Sequence, residues 1–102
     1  MPLVRVTSAA LLTPGTLAQV DAGGRTVAIC NNGGRIHALH GLCPHRNGPL
    51  GQGNLSDGHV ICPWHAWAFE CESGQYDFNP DIRVETYAVV DQDGEVFVDI
   101  PE

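Results

Sequence analysis

The sequence predicts an antiparallel all-β domain, and three observations carry that expectation. Twelve glycines and seven prolines in 102 residues punctuate the chain too often for helices, because interior Gly costs backbone entropy and Pro removes a hydrogen-bond donor. Turn signals recur at Asp21-Ala22-Gly23-Gly24, Asn31-Asn32-Gly33-Gly34, Ser56-Asp57-Gly58, Glu72-Ser73-Gly74 and Asp91-Gln92-Asp93-Gly94, each a place where positive φ or an Asx-type bond is favoured. The apolar segments between them are short, and the two nearest the C-terminus alternate with a period of two. With 43% hydrophobic residues the chain has material for one core, so residues 1–102 are expected to form a single domain.

In chain order, Leu3 to Thr7 reads as the first strand. Ser8-Ala9-Ala10-Leu11-Leu12 is helix-like but meets Pro14-Gly15 after barely one turn, so a loop or single helical turn is expected. Leu17 to Asp21, Thr26 to Asn31 and Arg35 to His40 follow as strands bounded by breakers. Gly41 to Gly58 contains Pro44, Pro49, Gly48, Gly51 and Gly53 and reads as a long irregular loop; in a compact domain such a length points to function. His59 to Ile61 and Trp67 to Glu70 are short strands. The chain ends as a hairpin, with Val84, Thr86, Ala88 and Val90 expected on one side of the first strand and Val96, Val98 and Ile100 on one side of the second.

Five Lys plus Arg against twelve Asp plus Glu give a formal charge of −7. Such a surface repels a phosphate backbone, which excludes nucleic acid as a partner, and it is expected to steer a basic protein partner. No apolar run approaches the roughly 20 residues needed to cross a bilayer, so no membrane association is expected. Met1-Pro2-Leu3-Val4-Arg5 lacks the basic start and apolar stretch of a secretory signal, which predicts a cytoplasmic location. The four cysteines are then expected to stay reduced, and cysteine usage points to metal or reactivity.

Two clusters carry that chemistry. Cys43-Pro44-His45 opens the long loop, and after sixteen intervening residues comes Cys62-Pro63-Trp64-His65. Two thiolates and two imidazoles make a four-donor metal site, for zinc or for an iron–sulfur cluster. Zinc fingers pair like with like, two Cys on one knuckle and two His on a helix, whereas here each loop is mixed. A mixed pair on each of two loops suits a binuclear cluster, with both Cys on one iron and both His on the other.

This spacing resembles the Rieske motif, in detail from Gly41 to about Gly74 and more loosely over the whole chain. The resemblance implies one [2Fe–2S] cluster per chain, with Cys43 and Cys62 on the buried iron and His45 and His65 on the outer iron. It implies a β-sandwich of antiparallel sheets whose tip is a cluster-binding subdomain formed by two loops, about residues 41–53 and 62–69. It further implies an electron-transfer component without independent catalysis, carrying single electrons from a flavin-containing reductase to a terminal oxygenase. Two neutral imidazoles in place of thiolates remove negative charge, so the potential should lie in the range of about −150 to +300 mV.

High-potential members of the family have an additional Cys in each loop, joined as a bridge, and hydroxyl residues shortly after the second His. In this chain Gly48 and Trp64 stand at the bridge positions and Trp67 and Phe69 at the hydroxyl positions, so it is similar to the soluble, low-potential Rieske-type ferredoxins. Cys-Pro-Trp-His-Ala-Trp-Ala-Phe-Glu is also similar to the Rieske domain of ring-hydroxylating oxygenases. Cys43-Pro44-His45-Arg46 through Pro49-Leu50, with Arg83 to Tyr87 and Asp93 to Val96, resembles the small subunit of NAD(P)H-dependent assimilatory nitrite reductase. That alternative would make the chain an accessory to a large sirohaem and flavin subunit. A zinc-stabilised interaction module is a third reading, and it predicts a colourless protein.

Outside the motif, Cys30 and Cys71 are expected as inert core thiols, with a disulfide between them as the alternative. His37, His40 and His59 fall at no ligand spacing. Trp67, alternating with Phe69, is expected to pack in a sheet, while Trp64 lies between two ligand positions and either packs or shields the site.

Overall fold

The computed structural model describes residues 3–44, 46–64 and 66–100. Among these described residues twelve strands follow in order: β1 (Leu3–Ser8), β2 (Leu17–Ala22), β3 (Arg25–Asn32), β4 (Arg35–His40), β5 (Asn54–Ser56), β6 (His59–Ile61), β7 (Ala68–Glu70), β8 (Gln75–Tyr76), β9 (Asn79–Arg83), β10 (Thr86–Tyr87), β11 (Val89–Gln92) and β12 (Glu95–Asp99). They form three antiparallel sheets, ordered β1-β12-β11, β10-β4-β3-β2 and β5-β6-β7-β8-β9. Among the described residues no helix is long and apolar enough to cross a membrane.

The four-stranded sheet is the middle layer, and the composition of β3 explains why. Thr26-Val27-Ala28-Ile29-Cys30-Asn31 is apolar without alternation, the pattern of a strand covered on both faces. Val27 and Ile29 pack with Val96, Val98 and Ile100 on one side, whereas Ala28 and Cys30 pack with Leu50, Val60 and Phe69 on the other. The second of these two cores lies beneath the five-stranded sheet, and it is the one that receives Cys43 and Cys62.

Ser8-Ala9-Ala10-Leu11-Leu12 yields a 3₁₀ turn at Ala9–Leu11, capped where the Ala10 N–H donates to the Ser8 hydroxyl. The C-terminal hairpin closes with Gln92 opposite Glu95 and with Asp93 and Gly94 both at positive φ, the two-residue turn that Asp-Gly favours. Val96, Val98 and Ile100 share the buried side, as their alternation predicts.

The strand before that turn departs from the expectation. Val84 and Tyr87 are buried while Thr86 and Ala88 are exposed, because the segment changes sheets. Thr86 and Tyr87 pair with Leu39 and Ala38 of β4, and from Val89 onward the chain pairs with β12 instead. Gly41 to Gly58 is also less irregular than its glycines and prolines suggest, holding a 3₁₀ turn at Leu50–Gln52 and strand β5. Strands β8 and β9 were not signalled by alternation. Pro80 lies in β9, which is the edge of its sheet, the position where a strand tolerates proline.

Candidate metal centre

The first loop leaves β4 through Gly41, whose N–H donates to the Thr26 carbonyl at 2.8 Å and whose carbonyl accepts from Leu50 N–H at 2.9 Å. Leu42 bridges Pro49, so the segment between them is pinched at its base. Above that neck the Cys43 N–H donates to the Gly48 carbonyl at 2.8 Å. The second loop leaves β6 and closes alike: the Cys62 N–H donates to the Trp67 carbonyl at 2.8 Å. In each loop a cysteine N–H thus reaches the carbonyl five residues on, and the residue four beyond each cysteine, Asn47 or Ala66, takes positive φ. The two loops share one backbone solution although their histidines fall at different spacings.

Cys43 and Cys62 are 0% and 2% exposed and belong to the same core, packed with Leu50, Val60 and Phe69. His45 and His65 lie outside the described residues. The Trp64 N–H donates to Cys62 Sγ at 3.4 Å, a contact that stabilises negative charge on sulfur. A Cβ built on Gly48 would stand 2.7 Å from Cys62 Sγ and 3.3 Å from the Trp64 ring, so the glycine keeps a space beside that sulfur which any other residue would fill. Positions 48 and 64 therefore face one another, with a ring against a glycine where a bridge would otherwise stand. Two buried thiols on matched loops, a backbone donor to one sulfur and an unfilled cradle beside it fit a sulfur-ligated cluster.

One residue that holds this arrangement has no signal in the sequence. Gln19, on β2, accepts from the Gly51 N–H at 2.7 Å through Oε1, and its Nε2 donates to the Gly41 carbonyl at 3.4 Å. It ties both ends of the first loop to the middle sheet from more than twenty residues away. Gln19→Ala removes both bonds and leaves a half-buried amide without its partner, a loss of about 1–3 kcal/mol. A lowered thermal midpoint and faster loss of iron to a chelator are expected, and unchanged values of both would show that Gln19 does not position the loop.

Trp67 stacks on Tyr76 with ring centroids 4.2 Å apart and 9° between planes, and it packs against the core, so its role is sheet packing. Trp64 is 48% exposed beside Cys62 and forms part of the tip surface. The His59 ring bonds the Asp57 carbonyl at 2.9 Å and faces Asp77 at 3.4 Å, an ordinary hydrogen-bonded imidazole. Cys30 and Cys71 are buried, form no disulfide and share a hydrogen bond. That bond and then burial hold the Cys30 thiol far above the usual cysteine range, while the bond from Cys30 holds Cys71 below it.

The Rieske [2Fe-2S] domain model matches residues 3–97. The chain is 34% identical over 89 residues to the ferredoxin component of the alkene monooxygenase system of Xanthobacter autotrophicus, covering 85% of this chain and 72% of that protein. It is 37% identical over 71 residues to apoptosis-inducing factor 3 of Mus musculus, where it covers 70% of this chain but spans only 12% of the relative's length. The solved ferredoxin of carbazole 1,9a-dioxygenase from Nocardioides aromaticivorans IC177 superposes with a TM-score of 0.88 at 27% identity, over 96% of this chain and 97% of that one. With its two matched cysteine loops at one buried core and a family match over nearly its whole length, the chain belongs to the Rieske [2Fe–2S] domain family.

Proposed function

We propose that this chain is a Rieske-type ferredoxin of the cytoplasm, passing single electrons from a flavin-containing reductase to a terminal oxygenase. Its one [2Fe–2S] cluster is held by Cys43 and Cys62 on one iron and by His45 and His65 on the other. The observation that carries this reading is the pair of alike loops delivering one buried cysteine each to a single core, in a chain that aligns nearly end to end with a free-standing ferredoxin. When bound, the cluster supplies one exchangeable electron.

The residues around it prepare that exchange. Leu50, Val60 and Phe69 keep water from the cysteine side, which leaves the histidine side as the port. The Trp64 N–H offsets part of the negative charge on Cys62. Pro44 and Trp64 are exposed and give the tip a small apolar surface, suited to a brief encounter of limited area. Coulometric reduction followed by electron paramagnetic resonance tests the proposal: one electron per chain and a paramagnetic reduced state are expected. A colourless protein holding a lone zinc ion overturns it, and stoichiometric co-purification with a large sirohaem protein replaces it with the nitrite reductase subunit.

The ligand set also makes a directional prediction. His45→Cys adds a negative thiolate in place of a neutral imidazole, so the potential of the assembled cluster should fall by on the order of 100 mV or more. Protein-film voltammetry reads this directly, and a rise would contradict the ligand-charge account.

A further inference from the structure

The net charge of −7 is unevenly spread along the chain. The chain has five arginines and no lysine, and neither cluster loop, residues 41–53 or 62–69, contains an Asp or Glu. Beside the first loop lies an open cleft of about 260 Å³ walled by Leu42, Pro44 and Asn47 from the loop and by Arg25, His40 and Arg83. Its single acid among the described residues is Glu85, which sits 3.7 Å from the Arg25 guanidinium. Among the described residues, Arg83 donates from Nη2 to the Ser73 carbonyl at 3.5 Å. Arg46, exposed on the same loop, is a third cation at this end.

Three of the five arginines thus lie on or beside the first loop, with Glu85 as the acid in the cleft among the described residues. The hairpin of β11 and β12 alone carries Asp91, Asp93, Glu95 and Asp99. A partner approaching the electron port meets the local field, because charges beyond a Debye length of about 10 Å are screened. We propose that the redox partner presents acidic side chains that dock in the Arg25–Arg83 cleft beside the first loop, although the ferredoxin as a whole is acidic. For the docking face this proposal departs from the basic partner expected from net charge, and it rests on the electron-carrier reading for the nature of the partner.

Two probes of opposite charge test this with the holoprotein. Stopped-flow oxidation of the reduced protein by hexacyanoferrate(III) and by hexaammineruthenium(III), one electron each, is measured from 100 mM to 1 M salt, where remote charges are screened. A local positive field predicts that the anionic oxidant slows by roughly threefold or more as salt rises while the cationic one does not slow. Arg25→Gln with Arg83→Gln, at a half-buried and an exposed site and checked by unchanged cluster absorbance, should abolish that slowing. In parallel, a hexaglutamate peptide added to ¹⁵N-labelled protein should shift the amides of Arg25, Asn47 and Arg83. An anionic oxidant that speeds up with salt, or peptide shifts absent from these amides, overturns the docking face. Failure to exchange electrons with either complex, with the peptide shifts present, overturns the carrier reading and leaves the anionic docking site standing.

Discussion

Cys62→Ser is expected to give a protein that folds its sheets but assembles no [2Fe–2S] cluster, losing essentially all visible absorbance, acid-labile sulfide and electron exchange. The thiolate is a soft ligand to iron and a serine hydroxyl is not, and Cys62 lies 2% exposed in the core where no water reaches to take its place. Cys43→Ser should do the same. Cys71→Ser is the informative control: Cys71 is a buried thiol of the same core, bonded to Cys30 rather than placed on a cluster loop, and its variant should remain coloured. Iron and sulfide analysis of the three purified variants checks this. A coloured Cys62→Ser variant beside a colourless Cys71→Ser variant would mean that the ligand assignment is wrong. Because cluster binding contributes to folding, the colourless variants should also melt earlier than the parent.

Gly53→Ala should be nearly as damaging without touching a ligand. A Cβ at residue 53 would collide with the carbonyl oxygen of Ile61, and the clash is with backbone, which cannot rotate away. Asn54 pairs with Ile61 in the ladder that leads into Cys62, so relief of the clash displaces the strand feeding the second loop. A cost of about 3 kcal/mol is expected, at the upper end for overpacked sites. Chemical denaturation with the cluster absorbance followed in parallel is the measurement. A variant with unchanged midpoint and full cluster would show that the two loops are not held at this close contact.

What could be read from the sequence follows the range of its signals. Local turn chemistry specified the hairpin around Asp93-Gly94 and the breakers bounded the strand from Thr26 to Asn31, whose cover on both faces emerges only with the fold. The spacing of Cys43, His45, Cys62 and His65 pointed to the centre, because ligand type and loop length are themselves local. Features that depend on residues far apart in the chain were hidden. The sheet change between Tyr87 and Val89 depends on which neighbours each half finds, β4 or β12, so burial does not follow the alternation from Val84 to Val90, and no turn residue announces the change. Gln19 reads as one polar residue in a strand until the fold brings Gly41 and Gly51 beside it. The glycines at 48 and 53 resembled loop punctuation, whereas each is small because a sulfur or a carbonyl of the neighbouring loop or strand leaves no room for a Cβ.

The most direct test is pulsed electron paramagnetic resonance of the dithionite-reduced protein, prepared with natural and with ¹⁵N-labelled histidine. Cys43 and Cys62 with His45 and His65 around one binuclear centre predict a single unpaired electron coupled to the nitrogens of two histidines, with couplings that change on labelling. A reduced centre without histidine nitrogen coupling, or a protein silent in the experiment because it holds only zinc, would contradict it.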